Sequence, residues 1–434
     1  MKRLSRLTRW LLGSVAVVAV LGALTVLVWQ LNIRDEIDVT VPVAAASPSL
    51  ARIERGAYLA RAGNCVSCHT TRGGTPYAGG RGIDTPFGTV FSSNLTPDER
   101  SGIGTWSAAH FWRAMHNGRS KDGRLLYPAF PYTNYTAVSR EDSDALYAYL
   151  HSLPAVAQPA TPHTLRWPFS TQGALAVWRA LYFSPVPYAP DTKQTAQWNR
   201  GAYLVRGLGH CSACHSARNA LGATDTGLDL AGGLIPMQNW YAPSLTSPAE
   251  AGVADWTPQH IVDLLKTGMS PRGSVLGPMA EVVLNSTQHL SDADLGAMAT
   301  FLKALPPTAV ADAAAPAPSG DTAATRAGAK LYEKNCVQCH GAQGQGISGA
   351  YPPLAGNRAV TMPSTVNLVQ IVLNGGYAPA TAGNPRPFGM PPFVLVLGDT
   401  ELAAVLSYIR SAWGNQAPQV TPTEVNRMRA NPNK

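Results

Sequence analysis

The chain has 434 residues, of which 45% are apolar and 14% charged, a balance that excludes a disordered protein and allows two to four domains. The net charge of +8 is concentrated at the start. Five of the 34 Lys and Arg residues precede the first acidic residue, Asp35, and without them 29 basic residues face 26 acidic ones. Because no basic patch with interleaved aromatic residues follows, the composition predicts no nucleic-acid partner.

The first segment, residues 1–34, is predicted to be a membrane anchor. After a basic start, the uncharged stretch 10–31 is about as long as a helix needs to cross a hydrocarbon core of roughly 30 Å. Trp10 and Trp29 lie near its ends, where aromatic rings prefer the membrane interface. A cleaved secretory signal is the alternative, with a late cleavage site at the alanines 44–46. A retained anchor predicts a bacterial inner-membrane protein with its bulk in the periplasm.

All six cysteines fall inside three copies of one pentapeptide, Cys-x-x-Cys-His. A disulfide is one alternative in an exported chain, but it leaves the histidine without a role. Zinc is another, yet each motif offers three ligands and has no second cysteine pair beside it. Covalent haem uses every member, because two thiols add to the vinyl groups and the histidine binds iron. The sequence therefore predicts three haem c groups, attached at Cys65, Cys68, Cys211, Cys214, Cys336 and Cys339, with iron bound by His69, His215 and His340.

The surroundings of each motif repeat as well. A Gly-Ala pair and an apolar stripe precede each first cysteine, and a second amphipathic helix closes each repeat. The first two closing helices begin with Ser-x-x-Asp, a capping-box-like start. We refer to the three predicted haem domains as copies 1, 2 and 3, at residues 50–155, 197–306 and 326–415. The other predicted segments are a linker at 156–196, an Ala/Pro linker at 307–325 and a polar tail at 416–434.

An electron-transfer haem commonly takes methionine as its sixth ligand. Met279 in GPMAEVV of copy 2 and Met390 in PFGMPPF of copy 3 occupy the same place, after Gly or Pro in a loop. Copy 1 has Phe130 there, and a phenyl ring cannot bind iron. Met115 or the neighbouring His116 then replaces the missing ligand, or the iron stays five-coordinate. The alternative for Met115 is a place in the apolar core.

Several phrases resemble one known family. With the three motifs and the apolar start, RGAYLARAGNC, GTVFSSNLTPD, LYPAFPY and GPMAEVVLNSTQHLSDADL are similar to the tri-haem cytochrome c subunits of bacterial membrane-bound dehydrogenases, over about residues 52–414. The resemblance implies a mostly α fold, with three tandem class I-like cytochrome c domains behind an N-terminal transmembrane helix. Pro243 and Pro353 fit the proline whose carbonyl accepts from the ligating histidine in many cytochromes c, whereas copy 1 has SSNLT without proline.

The resemblance also implies a function and partners. Such a protein accepts electrons from a catalytic dehydrogenase subunit with a molybdenum, quinone or flavin cofactor, and passes them to ubiquinone or another respiratory acceptor. A small iron–sulfur or accessory subunit is a further implied partner. The AFPYTNY form of copy 1 looks more like cytochromes paired with molybdenum-containing aldehyde or N-heterocycle oxidoreductases.

Two other functions are compatible with the same motifs. A cytochrome that donates to a terminal oxidase differs only in its partner. A haem peroxidase would use an open first iron with acid–base groups such as His110, His116 or Arg113. His110 has a counterpart, His260, in copy 2, which favours a structural role for it. No phosphate loop or nucleophile elbow indicates any other chemistry.

Overall fold

The computed structural model describes residues 6–40, 48–308 and 322–430. Helices dominate these ranges, as predicted. The predicted cleavage site at 44–46 and most of the predicted Ala/Pro linker lie outside the described residues.

The helices follow the repeats of the sequence. In chain order they are α1 (Arg6–Ile33), α2 (Leu50–Ala62), α3 (Cys65–Cys68), α4 (Ala108–Asn117), α5 (Tyr132–Tyr135), α6 (Arg140–Ser152), α7 (Gln172–Tyr182), α8 (Ala196–Ala202), α9 (Ser212–His215), α10 (Pro258–Thr267), α11 (Pro278–Asn285), α12 (Asp292–Lys303), α13 (Ala323–Asn335), α14 (Val337–His340), α15 (Arg358–Thr361), α16 (Val366–Asn374), α17 (Asp399–Ser411) and α18 (Pro422–Ala430). A π-helical turn at Tyr203–Leu208 continues α8, and 3-10 turns lie at Thr226–Leu228 and Thr287–His289.

The strands are short and antiparallel. They are β1 (Gly82–Thr85), β2 (Gly88–Phe91), β3 (Thr164–Leu165), β4 (Gly233–Ile235), β5 (Trp240–Ala242), β6 (Met269–Ser270), β7 (Gly273–Ser274), β8 (Gly376–Tyr377) and β9 (Gly389–Met390). The first three form one sheet in the order β1-β2-β3, with Gly82 opposite Phe91, and the others pair as three two-stranded ladders. Strands this small cannot form a core of their own, so the helices supply it.

Helix α1 differs from the rest of the chain in what it exposes. It spans 28 residues, its apolar window has a mean hydropathy of 2.6, and none of that window is buried against the protein. A helix of this length is about 42 Å long. Within the described residues it is the one helix long and apolar enough to cross a membrane.

The Gly-Ala pair before each haem motif marks a close crossing of two helices. The helix before the motif packs on the closing helix of its copy: α2 on α6, α8 on α12, and α13 on α17. A Cβ at Gly56 would lie 1.9 Å from the carbonyl oxygen of Ala145, so the backbones meet only where a side chain is missing. At Gly201 and Gly328 the equivalent distances are 2.0 and 2.1 Å.

Asp142, at the start of α6, joins copy 1 to copy 2. Its side chain is 3% exposed, and Arg55 of the same copy donates from Nε to Oδ1 at 2.9 Å. The Tyr203 hydroxyl of copy 2 donates to Oδ2 at 2.7 Å and accepts from the backbone N–H of Ser139 at 3.2 Å. The capping-box-like start is therefore half formed. The Ser139 hydroxyl accepts from the Asp142 N–H, but the carboxylate turns to Arg55 and Tyr203 instead.

Asp294, at the start of α12, repeats this arrangement in the opposite direction. Arg200 of copy 2 donates from Nε and Nη2 to the two carboxylate oxygens, both at 2.8 Å. Tyr58 of copy 1 donates to Oδ2 at 2.6 Å and accepts from the Ser291 N–H at 3.2 Å. Each copy thus supplies an arginine to its own aspartate and a tyrosine to its neighbour's. We call Asp142 and Asp294, with these partners, the reciprocal aspartate pair.

Copy 3 stands outside this arrangement. Ala327 and Lys330 occupy the positions of the arginine and the tyrosine. One apolar core runs through copies 1 and 2, including Leu59, Leu146, Leu204 and Leu295, whereas copy 3 has its own core around Tyr332, Leu402 and Val425. Copies 1 and 2 are therefore packed as one body, and copy 3 contacts it.

Two segments contain more structure than the sequence predicts. The predicted linker at 156–196 contains α7, which packs on the end of α1. The predicted polar tail contains α18, whose Val425 is buried and whose Arg429 binds Asp399 at 2.6 Å. Helix α18 is mostly polar, so Val425 and a single ion pair are enough to dock it, whereas α7 is mostly apolar.

We expect Tyr203→Phe to lower the free energy of unfolding by about 1.5–3 kcal/mol, because it removes a hydrogen bond to a buried carboxylate. Guanidinium denaturation of the haem-loaded chain measures it. Tyr377→Phe is the control, since that ring is exposed. Equal stability of the two variants would contradict the assigned role of Tyr203.

Acid should weaken the contact between copies 1 and 2 at Asp294. Partial burial pushes the pKa of Asp294 upward, but hydrogen bonds from Arg200 and Tyr58 outweigh it and hold the pKa below the ordinary 3.8. The carboxylate therefore stabilises the fold above its unfolded pKa, and this contribution is lost as pH falls through the lowered folded pKa. Asp294→Asn should flatten the fall in unfolding free energy between neutral pH and about pH 3. Asp292→Asn, at an exposed neighbour, should leave that fall unchanged.

Candidate haem sites

Each Cys-x-x-Cys-His motif forms a single turn directly after a longer helix. In copy 1, α2 ends at Ala62, Asn64 takes a left-handed conformation with φ of 50°, and α3 follows. The His69 N–H donates to the carbonyl of Cys65 at 3.0 Å, and the corresponding distances in copies 2 and 3 are both 2.9 Å. A helical turn places positions i, i+3 and i+4 on one side, so both thiols and the imidazole can face one ligand.

A backbone carbonyl orients each motif histidine. The Nδ1 atom of His215 lies 2.7 Å from the carbonyl oxygen of Pro243, as the sequence predicts. In copy 3 the acceptor of His340 is Pro352, at 3.2 Å, and not the predicted Pro353. The motif YPPL offers two prolines, and aligning its leucine with that of APSLT would have selected the first.

Copy 1 uses the same contact without a proline. His69 Nδ1 lies 2.7 Å from the carbonyl oxygen of Ser93, at the position of Pro243. Sequence reasoning missed Ser93 because a carbonyl belongs to every residue type. With Nδ1 engaged, Nε2 is left for iron. Burial lowers the pKa of all three imidazoles and the carbonyl contact opposes it, and the net lowering favours the neutral ring that a metal ligand requires.

Copy 3 contains a cavity that brings its predicted ligands together. The cavity has a volume of about 100 Å³ and is lined by Cys336, Cys339, His340 and Met390. Most of its wall is apolar, as in cofactor pockets. Met269 of copy 2 also lines it, and its sulfur accepts a hydrogen bond from Asn384 Nδ2 at 3.0 Å. Copy 2 therefore completes the wall of the third site.

The two predicted methionine ligands do not lie in loops. Met279 lies in the first turn of α11, and Met390 lies in β9. Both follow a glycine pressed against an aromatic ring: a Cβ at Gly277 would lie 2.7 Å from Trp240, and one at Gly389 would lie 2.3 Å from Tyr377. The two segments share this packing although their secondary structures differ.

Copy 1 replaces the methionine segment with aromatic packing. Phe130 lies against Tyr132 and Tyr135, with ring centroids 6.4 and 5.3 Å away. Met115 is buried in the apolar core that also includes Tyr135, and Cys65 packs against that core. His116 is also buried, and its Nδ1 lies 2.7 Å from the Thr136 carbonyl oxygen. Both candidate ligands are therefore inside the fold of copy 1, and Met115 belongs to the core that Cys65 contacts.

The attachment turns of copies 1 and 2 lie close together. The Nε2 atom of His210, directly before Cys211, lies 3.3 Å from the carbonyl oxygen of Gly63, two residues before Cys65. Arg81 of copy 1 donates from Nη1 to the carbonyl of Ser67 and to Glu281 of α11, the latter at 2.7 Å. The helix that carries Met279 is thus fastened to the first haem motif.

The chemistry of these sites fits haem c. All six cysteines are free thiols, and burial raises the pKa of Cys65 to about 12 and that of Cys336 to about 11, so both carry protons. No three His, Cys, Asp or Glu side chains within residues 6–40, 48–308 and 322–430 converge as a metal-ion ligand set. Two thiols and an oriented imidazole beside an apolar cavity are what covalent haem requires. The fold and these sites define a c-type cytochrome.

Comparisons with known proteins agree. The cytochrome c family model matches residues 53–154 and 325–413, which leaves copy 2 outside the matched segments. The chain is 40% identical to the cytochrome c subunit of a quinone alcohol dehydrogenase from Gluconacetobacter polyoxogenes, over 87% of this chain and 84% of that protein. It is 37% identical to the gluconate 2-dehydrogenase cytochrome c subunit of Pantoea cypripedii, over 87% and 90%. The chain belongs to this family of dehydrogenase cytochrome c subunits.

A third relative differs in size. It is one of the subunits of nicotinate dehydrogenase from Pseudomonas putida. The two sequences are 41% identical over 98% of this chain, and this match covers 36% of that protein. The similarity therefore extends beyond the copies to the N-terminal segment, and the greater part of the nicotinate dehydrogenase protein has no counterpart in this chain.

Proposed function

We propose that this chain holds three covalent haem c groups, one in each copy, and carries electrons from a catalytic dehydrogenase to ubiquinone or another respiratory acceptor. The single observation that carries the proposal is the cavity of copy 3, where two thiols, an oriented imidazole and a methionine line one apolar space. When bound, haem supplies an iron that takes up and releases one electron. The side chains around it attach, orient and bury that iron.

We assign the same parts to the other copies by the repeat. Cys65, Cys68 and His69 hold the first haem, and Cys211, Cys214 and His215 hold the second. Met279 and Met390 are the sixth ligands in copies 2 and 3. For copy 1 we propose Met115, because it is buried in the apolar core against which Cys65 packs.

The contacts between copies support transfer from one haem to the next. Asn285 of copy 2 donates to the Ser67 hydroxyl in the first motif at 2.9 Å, and Asn134 of copy 1 donates to the Ser212 hydroxyl in the second motif at 2.7 Å. Met269 brings copy 2 to the wall of the third cavity. A relay needs neighbouring sites held at fixed short distances, and the reciprocal aspartate pair supplies this for copies 1 and 2.

We propose that α1 is retained as an inner-membrane anchor and that the haem domains lie in the periplasm. The helix is long enough to cross the hydrocarbon core, and its apolar surface is not used by the rest of the fold. Anchoring would hold the relay next to a membrane quinone.

The proposed catalytic partner is a molybdenum-containing dehydrogenase that acts on an aldehyde or an N-heterocycle, with a small iron–sulfur subunit. The similarity to the nicotinate dehydrogenase protein over 98% of this chain supports this choice, as does the AFPYTNY segment around Phe130. The similarity to alcohol and gluconate dehydrogenase subunits keeps quinone and flavin partners as the alternative outcome.

Gentle solubilisation of membranes, isolation of the chain with its companions and mass spectrometry with metal analysis test the partner. A molybdenum hydroxylase-type companion is the expected result. A quinoprotein or flavoprotein would move the substrate to alcohols or sugars. Companions from a terminal oxidase would contradict the dehydrogenase function while leaving the haem sites intact.

The haem count has a direct test. The pyridine haemochrome assay on the purified chain should give three haems per chain, and two when Cys336 and Cys339 are both replaced by alanine. Gln338→Ala, between the two cysteines, should keep three. Two haems in the unaltered chain would contradict the proposal.

The sixth ligand of copy 1 has its own test. Met115→Leu should open one iron, so that the reduced protein binds carbon monoxide at about one haem in three. Met279→Leu and Met390→Leu should each do the same. Met298→Leu, at a buried methionine of α12, is the control and should bind none. If Met115→Leu matches Met298→Leu while the other two bind carbon monoxide, Met115 is a core residue and not a ligand.

A further inference from the structure

Helix α7 has two faces of unlike chemistry. Leu175 and Arg179 are buried on one face. On the opposite face, Val177 is 48% exposed and Leu181 is 64% exposed. An apolar face left open on a surface helix marks a contact with something outside the domain.

The exposed apolar character continues on both sides of α7. Trp167 and Phe169 precede the helix and Val186 follows it, all with exposed side chains. Arg179 is the one charged residue within 167–186, and it points inward, over the rings of Tyr132 and Phe183. The outer surface of this segment therefore carries apolar and aromatic groups without charge. We call residues 167–186 the apolar shoulder.

Hydrogen bonds fix the shoulder to the last turn of α1. Asn32 donates from Nδ2 to the Ala176 carbonyl at 2.9 Å, and its Oδ1 accepts from Arg179 Nε at 3.0 Å. A few residues on, Arg34 donates to the Ser184 hydroxyl at 2.6 Å. The middle of α7 is thus held at the level where the membrane-crossing helix ends.

Copy 1 also binds the end of α1 and the residues that follow it. Arg119 donates from Nη2 to the Asn32 carbonyl at 3.1 Å and forms an ion pair with Glu36, with Nε and Oε1 also 3.1 Å apart. Asn117 donates to the Asp35 carbonyl at 3.0 Å. These contacts leave α1, α7 and copy 1 little freedom to turn against one another.

We propose that the apolar shoulder is a lipid-binding surface that lies in the outer interface of the membrane and sets the tilt of copies 1 and 2 above it. The proposal rests on the proposed anchoring of α1. Given that anchor, a helix bonded to its last turn must lie at headgroup depth, where amphipathic helices bury their apolar face and aromatic rings are favoured. Lipid fits better than a protein partner because the contacts that place the shoulder come from the membrane helix itself.

The test uses the full haem-loaded chain in liposomes of phosphatidylethanolamine and phosphatidylglycerol. Because thioether bonds occupy the six native cysteines, a single added cysteine takes one nitroxide spin label. Three variants are compared: Val177→Cys on the shoulder, Leu395→Cys on copy 3, where the side chain is 96% exposed, and Val20→Cys in the middle of α1. Relaxation by oxygen, which concentrates in lipid, is compared with relaxation by a water-soluble nickel chelate. An unchanged haem spectrum verifies the fold of each variant.

We expect the ratio of oxygen relaxation to nickel relaxation at residue 177 to be several-fold higher than the ratio at residue 395. It should approach the ratio at residue 20. Equal ratios at 177 and 395, with a lipid-like value at 20, would overturn the shoulder but not the anchor. A water-like value at 20 would overturn both. Protection of residue 177 from both reagents would mean that protein covers the shoulder, and would also overturn the proposal.

Discussion

The arrangement on which the rest of the structure depends is the burial of two aspartates at the starts of α6 and α12. A carboxylate taken out of water is costly unless charged and hydrogen-bonding groups surround it. Asp142 and Asp294 each obtain an arginine from their own copy and a tyrosine from the other. One requirement therefore fixes two things at once: the crossing of the helices within each copy, and the position of copy 1 against copy 2. Since the same α2 and α8 helices lead into the first two haem motifs, it also fixes the spacing of those motifs.

Within a copy, a glycine and a backbone carbonyl position the haem motif. A glycine at each helix crossing lets two backbones approach, which puts the motif turn at the end of a rigidly packed helix. A carbonyl oxygen then holds Nδ1 of the histidine, and burial favours the neutral ring. Helix packing and backbone contacts therefore position the cysteines, the imidazole and the cavity wall.

The sequence predicted the features that rest on residue type and spacing. Three motifs, the paired helices around them and the long apolar helix could be found because cysteine, glycine and apolar periodicity leave a visible pattern. The contact of His69 with Ser93 could not, because any residue offers a carbonyl. The tyrosine of each RGAY phrase fits an apolar stripe in the sequence, and only the structure shows that its hydroxyl binds the aspartate of the other copy. Helix α7 was missed because proline-rich flanks on both sides indicated a linker, while its docking depends on Asn32, a residue far away in the chain.

The junctions along the chain differ in the kind of polar contact that they contain. The junction of α1 with copy 1 and that of copy 1 with copy 2 contain groups removed from water, such as Arg179 and Asp142. The junction of copy 2 with copy 3 combines hydrogen bonds from buried Gln370 to the Asn239 carbonyl and from Asn367 to Tyr241 with the ion pair of Arg358 and Asp255 at 2.7 Å, whose carboxylate is half exposed. Exposed pairs of this kind contribute about 0–1 kcal/mol. Helix α1, copy 1 and copy 2 are therefore joined through buried charged groups. Copy 3 has its own core and meets copy 2 at the cavity that Met269 partly walls, where neutral hydrogen bonds replace buried charges.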